Sequence, residues 1–238
     1  MAKSPKVYLI LGPNGSGRRA LLYDFIDSLE SESSVLYFKH RDEVINDFDS
    51  SLENLAEVST VLWSAKDSKI KHDSIKVNPS SIFFIAPASI DLADVIEGLK
   101  GWLSKNDCHL TRIITVIDCK SLSENNSQYG WYDAAVHFSD MALLNRREGV
   151  SEKWIKDMVT KKKKQFHPTR FEFVKKNRVN NPIDVLDAKT YRTSLFFDDL
   201  IPIEEDEFED LIPDDRKADP YIDRLESGKR SKPVLPLI

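Results

Sequence analysis

The chain has only two cysteines, Cys108 and Cys119, in 238 residues. Two thiols cannot form a disulfide framework, and their spacing fits no common zinc pattern. A reducing, cytoplasmic location is the expectation. Long hydrophobic runs are also missing. Nothing approaches the roughly 18 consecutive apolar residues of a membrane-spanning helix, so no membrane partner is expected. The amino-terminal apolar stretch, Val7 to Leu11, is five residues long, short of the roughly 7 to 15 that a signal-peptide core requires. The histidines, at positions 40, 72, 109, 137 and 167, form no close-spaced ligand pair, so no metal site is inferred from them.

Charge is plentiful and unevenly placed. The net charge of −5 hides an acidic carboxyl-terminal stretch, residues 196–238, with 13 Asp/Glu against 6 Lys/Arg. Residues 146–178 hold 12 Lys/Arg against 4 Asp/Glu, including the run Lys161–Lys164. A basic patch in an acidic chain without an aromatic platform reads as a solvated helix end, and nucleic acid is not expected as a partner. With 41% hydrophobic residues, the chain can fill one sizeable core.

Short apolar runs alternate with helix-length segments. Strands are expected at Val7–Leu11, Val35–Phe38, Thr60–Trp63, Ser81–Ile85, Arg112–Ile117, Met141–Leu144 and Phe171–Val174. Helices are expected over Arg18–Glu30, Glu43–Leu55, Leu92–Lys105, Trp131–Ser139 and Ser151–Lys164, the last with Ser151 as its cap. Near-continuous apolar strands between helices predict a three-layer α/β fold with a mainly parallel sheet. From about Ser194 the pattern lapses into acids and prolines. Residues 1–193 therefore read as one α/β domain, and 194–238 as an acidic tail. Two readings of that tail stay open: a solvated, disordered segment, or a docking arm whose Phe196, Phe197, Leu200, Ile201, Phe208, Leu211 and Ile212 enter a groove on this or another protein. Asn181-Pro182 reads as a turn.

The most informative segment is GPNGSGRR, Gly12 to Arg19, after a buried strand and opening a helix. Its glycine spacing matches G-x-x-x-x-G-K-[ST] except at the last two positions. Glycines let backbone N–H groups turn toward phosphate oxygens, and the helix N-terminus adds its dipole. Arg18 stands where a lysine would reach the phosphates; it keeps the charge but is longer and forked. Arg19 stands where a hydroxyl would ligate magnesium, and a guanidinium has no lone pair to offer. The loop either still holds a nucleotide or survives as a strand-to-helix turn, and hydrolysis is expected to be weak or absent.

Four segments in order, VYLILGPNGSGRRALL, SIFFIAPASIDLADVI, ITVIDC and HFSDMALLNRREGVS, resemble a CobW-type P-loop GTPase, of the group that includes the nickel-enzyme maturation GTPases. The resemblance covers roughly residues 5–190. It implies GTP, or another nucleotide, as ligand. Carried over, Gly12, Asn14, Gly15, Ser16, Gly17, Arg18 and Arg19 would line the phosphates. Asn145 would contact the guanine ring, and Glu148 would stand in for the Asp of N-K-x-D. Asp118 would keep a water-mediated contact to magnesium. The acid and glycine expected after Ile85 are replaced by Ala86-Pro-Ala-Ser89, and the family's C-x-C-C metal motif is absent. The implied functions are therefore a GTP-preferring binder with little turnover, a scaffold acting through protein contacts made by its acidic tail, or an active metallochaperone-type GTPase.

Overall fold

Residues 4–30, 33–165, 167–198 and 219–237 are described by a computed structural model of the chain. In chain order the elements are β1 (Lys6–Gly12), α1 (Arg18–Asp27), β2 (Val35–His40), α2 (Asp47–Glu53), β3 (Val58–Lys66), β4 (Lys69–His72), β5 (Ser81–Pro87) and α3 (Leu92–Asn106). They continue with β6 (His109–Asp118), α4 (Cys119–Glu124), α5 (Tyr129–Phe138), β7 (Met141–Asn145), α6 (Glu152–Lys164), β8 (Arg170–Phe173) and α7 (Pro182–Leu186). The strands form one sheet in the order β4-β3-β2-β5-β1-β6-β7-β8, parallel throughout except for the β3–β4 hairpin at one edge. This is the expected three-layer α/β arrangement.

Period-two alternation assigns each central strand to two cores at once. Val7, Leu9 and Leu11 face α3 and α5, while Tyr8 and Ile10 face α1 and α7. Strand β5 divides likewise, Ile82 and Phe84 one way, Phe83 and Ile85 the other. Burying such a side chain stabilises by about 1.5–3 kcal/mol, so a charge placed at Leu9 would remove that term and strand an ion between layers. Helix α1 seals its face of the sheet with Leu21, Leu22, Phe25 and Ile26. No helix among the described residues is long and apolar enough to cross a membrane.

Several boundaries differ from the sequence reading, each for a local reason. The helix expected over residues 43–55 begins only at Asp47, because Asn46 and Asp49 form a reciprocal capping box. Glu43 is left in the preceding loop. The short strand expected at Thr60–Trp63 extends to Val58–Lys66 and turns back into β4, whose alternating lysines gave no apolar pattern to find. Asn181-Pro182 is the start of a helix, not a bare turn: the Asn181 side chain accepts from the Asp184 N–H at 3.3 Å, and Pro182 occupies the first turn. Ser151 does precede α6, but its hydroxyl makes no capping bond.

Where it is described, the acidic carboxyl-terminal stretch is seated on the body. Phe197 is buried, and Lys100 donates to the Phe196 carbonyl at 2.6 Å. Asp219 stands 2.8 Å from His137 Nε2, and Tyr221 packs beside His137 and Phe138. Arg230 pairs with Glu97, and the Leu237 N–H donates to the Ala88 carbonyl at 2.8 Å. Leu200, Ile201, Phe208, Leu211 and Ile212 lie outside the described residues.

Candidate phosphate-loop site

The loop Gly12–Gly17 leaves the carboxyl end of β1, the central strand, and enters α1 with Gly17 at φ +98°. That left-handed conformation favours glycine, and space demands it as well. A Cβ on Gly17 would lie 2.4 Å from Asn145 Nδ2. At the other end of the loop, a Cβ on Gly12 would lie 2.8 Å from Ser16 Oγ and 2.9 Å from the Val116 carbonyl. Ser16 Oγ itself is fully buried within the loop and has no hydrogen-bond partner among the described residues.

The rim comes from the neighbouring strand ends. Asn145, at the end of β7, donates its side-chain amide to the Ser16 carbonyl at 2.8 Å, which clasps the loop. The next residue, Arg146, has φ +49° and donates through Nε to the Gly15 carbonyl. Its guanidinium also comes within 3.8 Å of Asp118 Oδ2. Asp118, at the end of β6, spends its other oxygen capping α4, accepting from the Ser121 N–H at 2.9 Å. Glu148 is exposed in the turn beyond β7.

The two arginines turn under the loop. Arg18 donates to Glu43 Oε1 at 2.6 Å and to Asn14 Oδ1 at 3.0 Å. Arg19 donates from Nη1 to both Asp49 carboxylate oxygens, at 2.9 and 3.0 Å, and its Nη2 lies 3.4 Å from Glu43 Oε2. The four charged side chains are buried. Burial pulls Arg18 below the ordinary arginine value, with Glu43 opposing. Burial also pushes the nearby Tyr37 hydroxyl far up, reinforced by Glu43 and Asp49. At the end of β2, His40 is held below its usual value, chiefly by burial, and its Nε2 has no partner among the described residues. The depression over the loop has a volume of about 60 Å³, against the several hundred typical of a ligand pocket. A larger cavity, about 230 Å³, lies between α5 and α6 under Trp154 and Met158. Its walls are mostly apolar, with Asp133, Asp157, Lys161 and Lys162 also lining it and Lys162 paired with Asp133.

Neither a protein-family model nor a curated protein matches the chain. Solved structures do. The zinc-bound YjiA GTPase from E. coli aligns at 13% identity over 78% of this chain and 62% of its own, with a TM-score of 0.47. A zinc-bound triple mutant of YjiA aligns over the same shares at the same identity, with a TM-score of 0.50. The chain shares the fold of these structures. This chain spans less than two thirds of the length of those neighbours.

Within that fold, the residues around the loop do not fit a magnesium ion. Arg19 replaces the hydroxyl ligand, and the nearest acids, Glu43 and Asp49, are already bound to guanidinium groups. Asp118 is occupied by a helix cap and lies near Arg146. Among the described residues there is no group of three or more His, Cys, Asp or Glu that could hold a metal. The structure brings Gly12–Arg19, Asn145 and Asp118 together at one strand-end surface. Asn145 is a clasp for the loop in this conformation. Sequence reading missed Glu43 and Asp49, which it placed in a helix, and Arg146, whose position beside Asn145 was the only hint.

Proposed function

We propose that the protein binds the phosphate end of a purine nucleotide, with guanine preferred, and turns it over slowly or not at all. The observation that carries this reading is the contrast between backbone and side chains. The glycine frame is shaped as a cradle, with positive φ at Gly15 and Gly17, while arginines stand in place of the phosphate lysine and the magnesium hydroxyl. Phosphoryl transfer depends on positioned metal and charge stabilisation, so a site with cradle and without metal ligands is suited to holding rather than cleaving. Asn145 and Glu148 support the guanine preference only through their place after β7. For the same reason an active metal-dependent GTPase is the weakest reading.

A second reading, a scaffold that keeps the fold and works through protein contacts, is favoured by one feature. The arginines are saturated by carboxylates and the cleft is shallow. The deciding experiment is a calorimetric titration of the protein with GTPγS and ATPγS, with and without magnesium. Saturable binding that favours guanine and ignores magnesium is expected. Absence of binding under every condition would overturn the nucleotide reading and leave the scaffold.

A further inference from the structure

Arg18 and Arg19 sit in the first turn of α1, an end of a helix whose dipole favours anions rather than cations. Two adjacent guanidinium groups there are tolerable only with anions opposite, and Glu43 and Asp49 supply them with side chains 0% and 8% exposed. Asp49 is also fixed within α2 by its capping box. Glu43 is held differently. It is the single buried residue of the loop 41–46, flanked by Val44 at 60% and Ile45 at 91% exposure. Besides one backbone bond to the His40 carbonyl, the side-chain bonds that draw it inward are those to the arginines. Within the same loop, Ser16 Oγ is buried and has no hydrogen-bond partner among the described residues.

We propose that Glu43 is a built-in counter-anion: its carboxylate occupies the arginines until a diphosphate-bearing ligand displaces it, and the arginines then neutralise the ligand in place of a divalent cation. The inference rests on the nucleotide-binding reading of the loop. The exchange is of one bidentate anion for another on the same guanidinium fork, since carboxylate and phosphate both match it. Its outward path is short, because residues on both sides of Glu43 are already in solvent. The ligand class that follows is a diphosphate free of metal, whether inorganic pyrophosphate or the diphosphate of a nucleotide.

The test titrates pyrophosphate and GDP, in EDTA and in magnesium, into the wild-type protein and Glu43→Gln. Glutamine keeps the shape and removes the charge. The variant should bind about tenfold more tightly, with EDTA making no difference to either protein. GDP tighter than pyrophosphate would assign the nucleoside part of the ligand; equal affinity would assign the diphosphate alone. Binding by both proteins with no gain in the variant, or binding that requires magnesium, would overturn the counter-anion while leaving the nucleotide site standing. Failure of both proteins to bind either ligand would overturn the site itself. Should Glu43→Gln not fold, hydrogen exchange on the wild-type protein decides. Residues 41–46 should exchange faster at saturating GDP in EDTA, and unchanged exchange would refute displacement.

Discussion

Replacing Asp140 by asparagine should cost the protein about 3–5 kcal/mol. Asp140 is fully buried between β6 and β7 and holds three partners. Its Oδ2 accepts from the Ile113 N–H at 2.8 Å, and its Oδ1 accepts from the Tyr191 N–H at 2.9 Å. Arg192 Nε stands 3.2 Å away, an ion pair not aligned as a hydrogen bond, in a side chain only 1% exposed. Asparagine has one acceptor oxygen, so one backbone donor is orphaned, worth about 1–3 kcal/mol. The Arg192 guanidinium is also left buried with its counter-charge gone, the larger loss. Against a total stability of about 5–15 kcal/mol, this is a substantial fraction, and for a chain of this size it lowers Tm by roughly 6–20 °C. Urea denaturation followed by circular dichroism, on wild type, Asp140→Asn, Arg192→Met and the double variant, measures it. The double variant should be more stable than Asp140→Asn alone, because it removes the stranded charge. A loss below about 1 kcal/mol, or a double variant no better than the single, would refute the reasoning.

Gly17→Ala and Gly15→Ala form a matched pair, since both positions have positive φ. Only Gly17 would drive a Cβ into Asn145, so its variant should be less stable by about 1 kcal/mol or more in thermal melts. Equal losses would mean that the clasp contributes nothing. Burial raises the Cys119 thiol to about 12, and also raises Cys108. Neither should react with Ellman's reagent at pH 8 until urea unfolds the protein, and rapid native labelling would contradict their burial. His40 is kept neutral below its ordinary 6.5, mainly by burial, with Arg18 reinforcing and Asp42 opposing. The unfolded chain therefore takes up this proton first as pH falls, so stability is full above about 6.5 and declines below it. Melts from pH 7.5 to 5.0 should show a smaller decline in His40→Asn, and an identical one would exclude His40 as a contributor.

The central strands and the phosphate loop were legible because they obey strong local rules. Val7–Leu11 and Ser81–Ile85 are unbroken apolar runs ending at breakers, and both are interior strands paired directly in parallel. The loop was legible because glycine spacing encodes backbone shape. Its side-chain partners were not, because Glu43 and Asp49 act at a distance of 25 and 30 residues from their arginines. Nothing local distinguishes an acid that neutralises a buried guanidinium from one that faces water. Strand β4 escaped for a related reason: a KIKH edge strand is specified by its partner β3 rather than by hydrophobicity. Asp140 belonged to a segment read for its resemblance, and its three-way role appears only once β6, β7 and the chain near residue 191 meet.

The sheet's two edges carry a consequence for how the molecule behaves among its own copies. An open edge is a template on which another chain can add a strand. Here both edge strands, β4 and β8, are four residues long, against ten for β6 near the middle. Strand β4 runs antiparallel to its neighbour and exposes Lys69 and Lys71. A second copy pairing there would bring like charges together and strip water from lysines. At the opposite edge, Arg170 is engaged by Glu172 and Asp184, while Arg147 covers the face of Phe173. The same short, lysine-bearing strand that hid from pattern reading thus caps the sheet against growth into fibrils, leaving its long parallel interior closed on both sides.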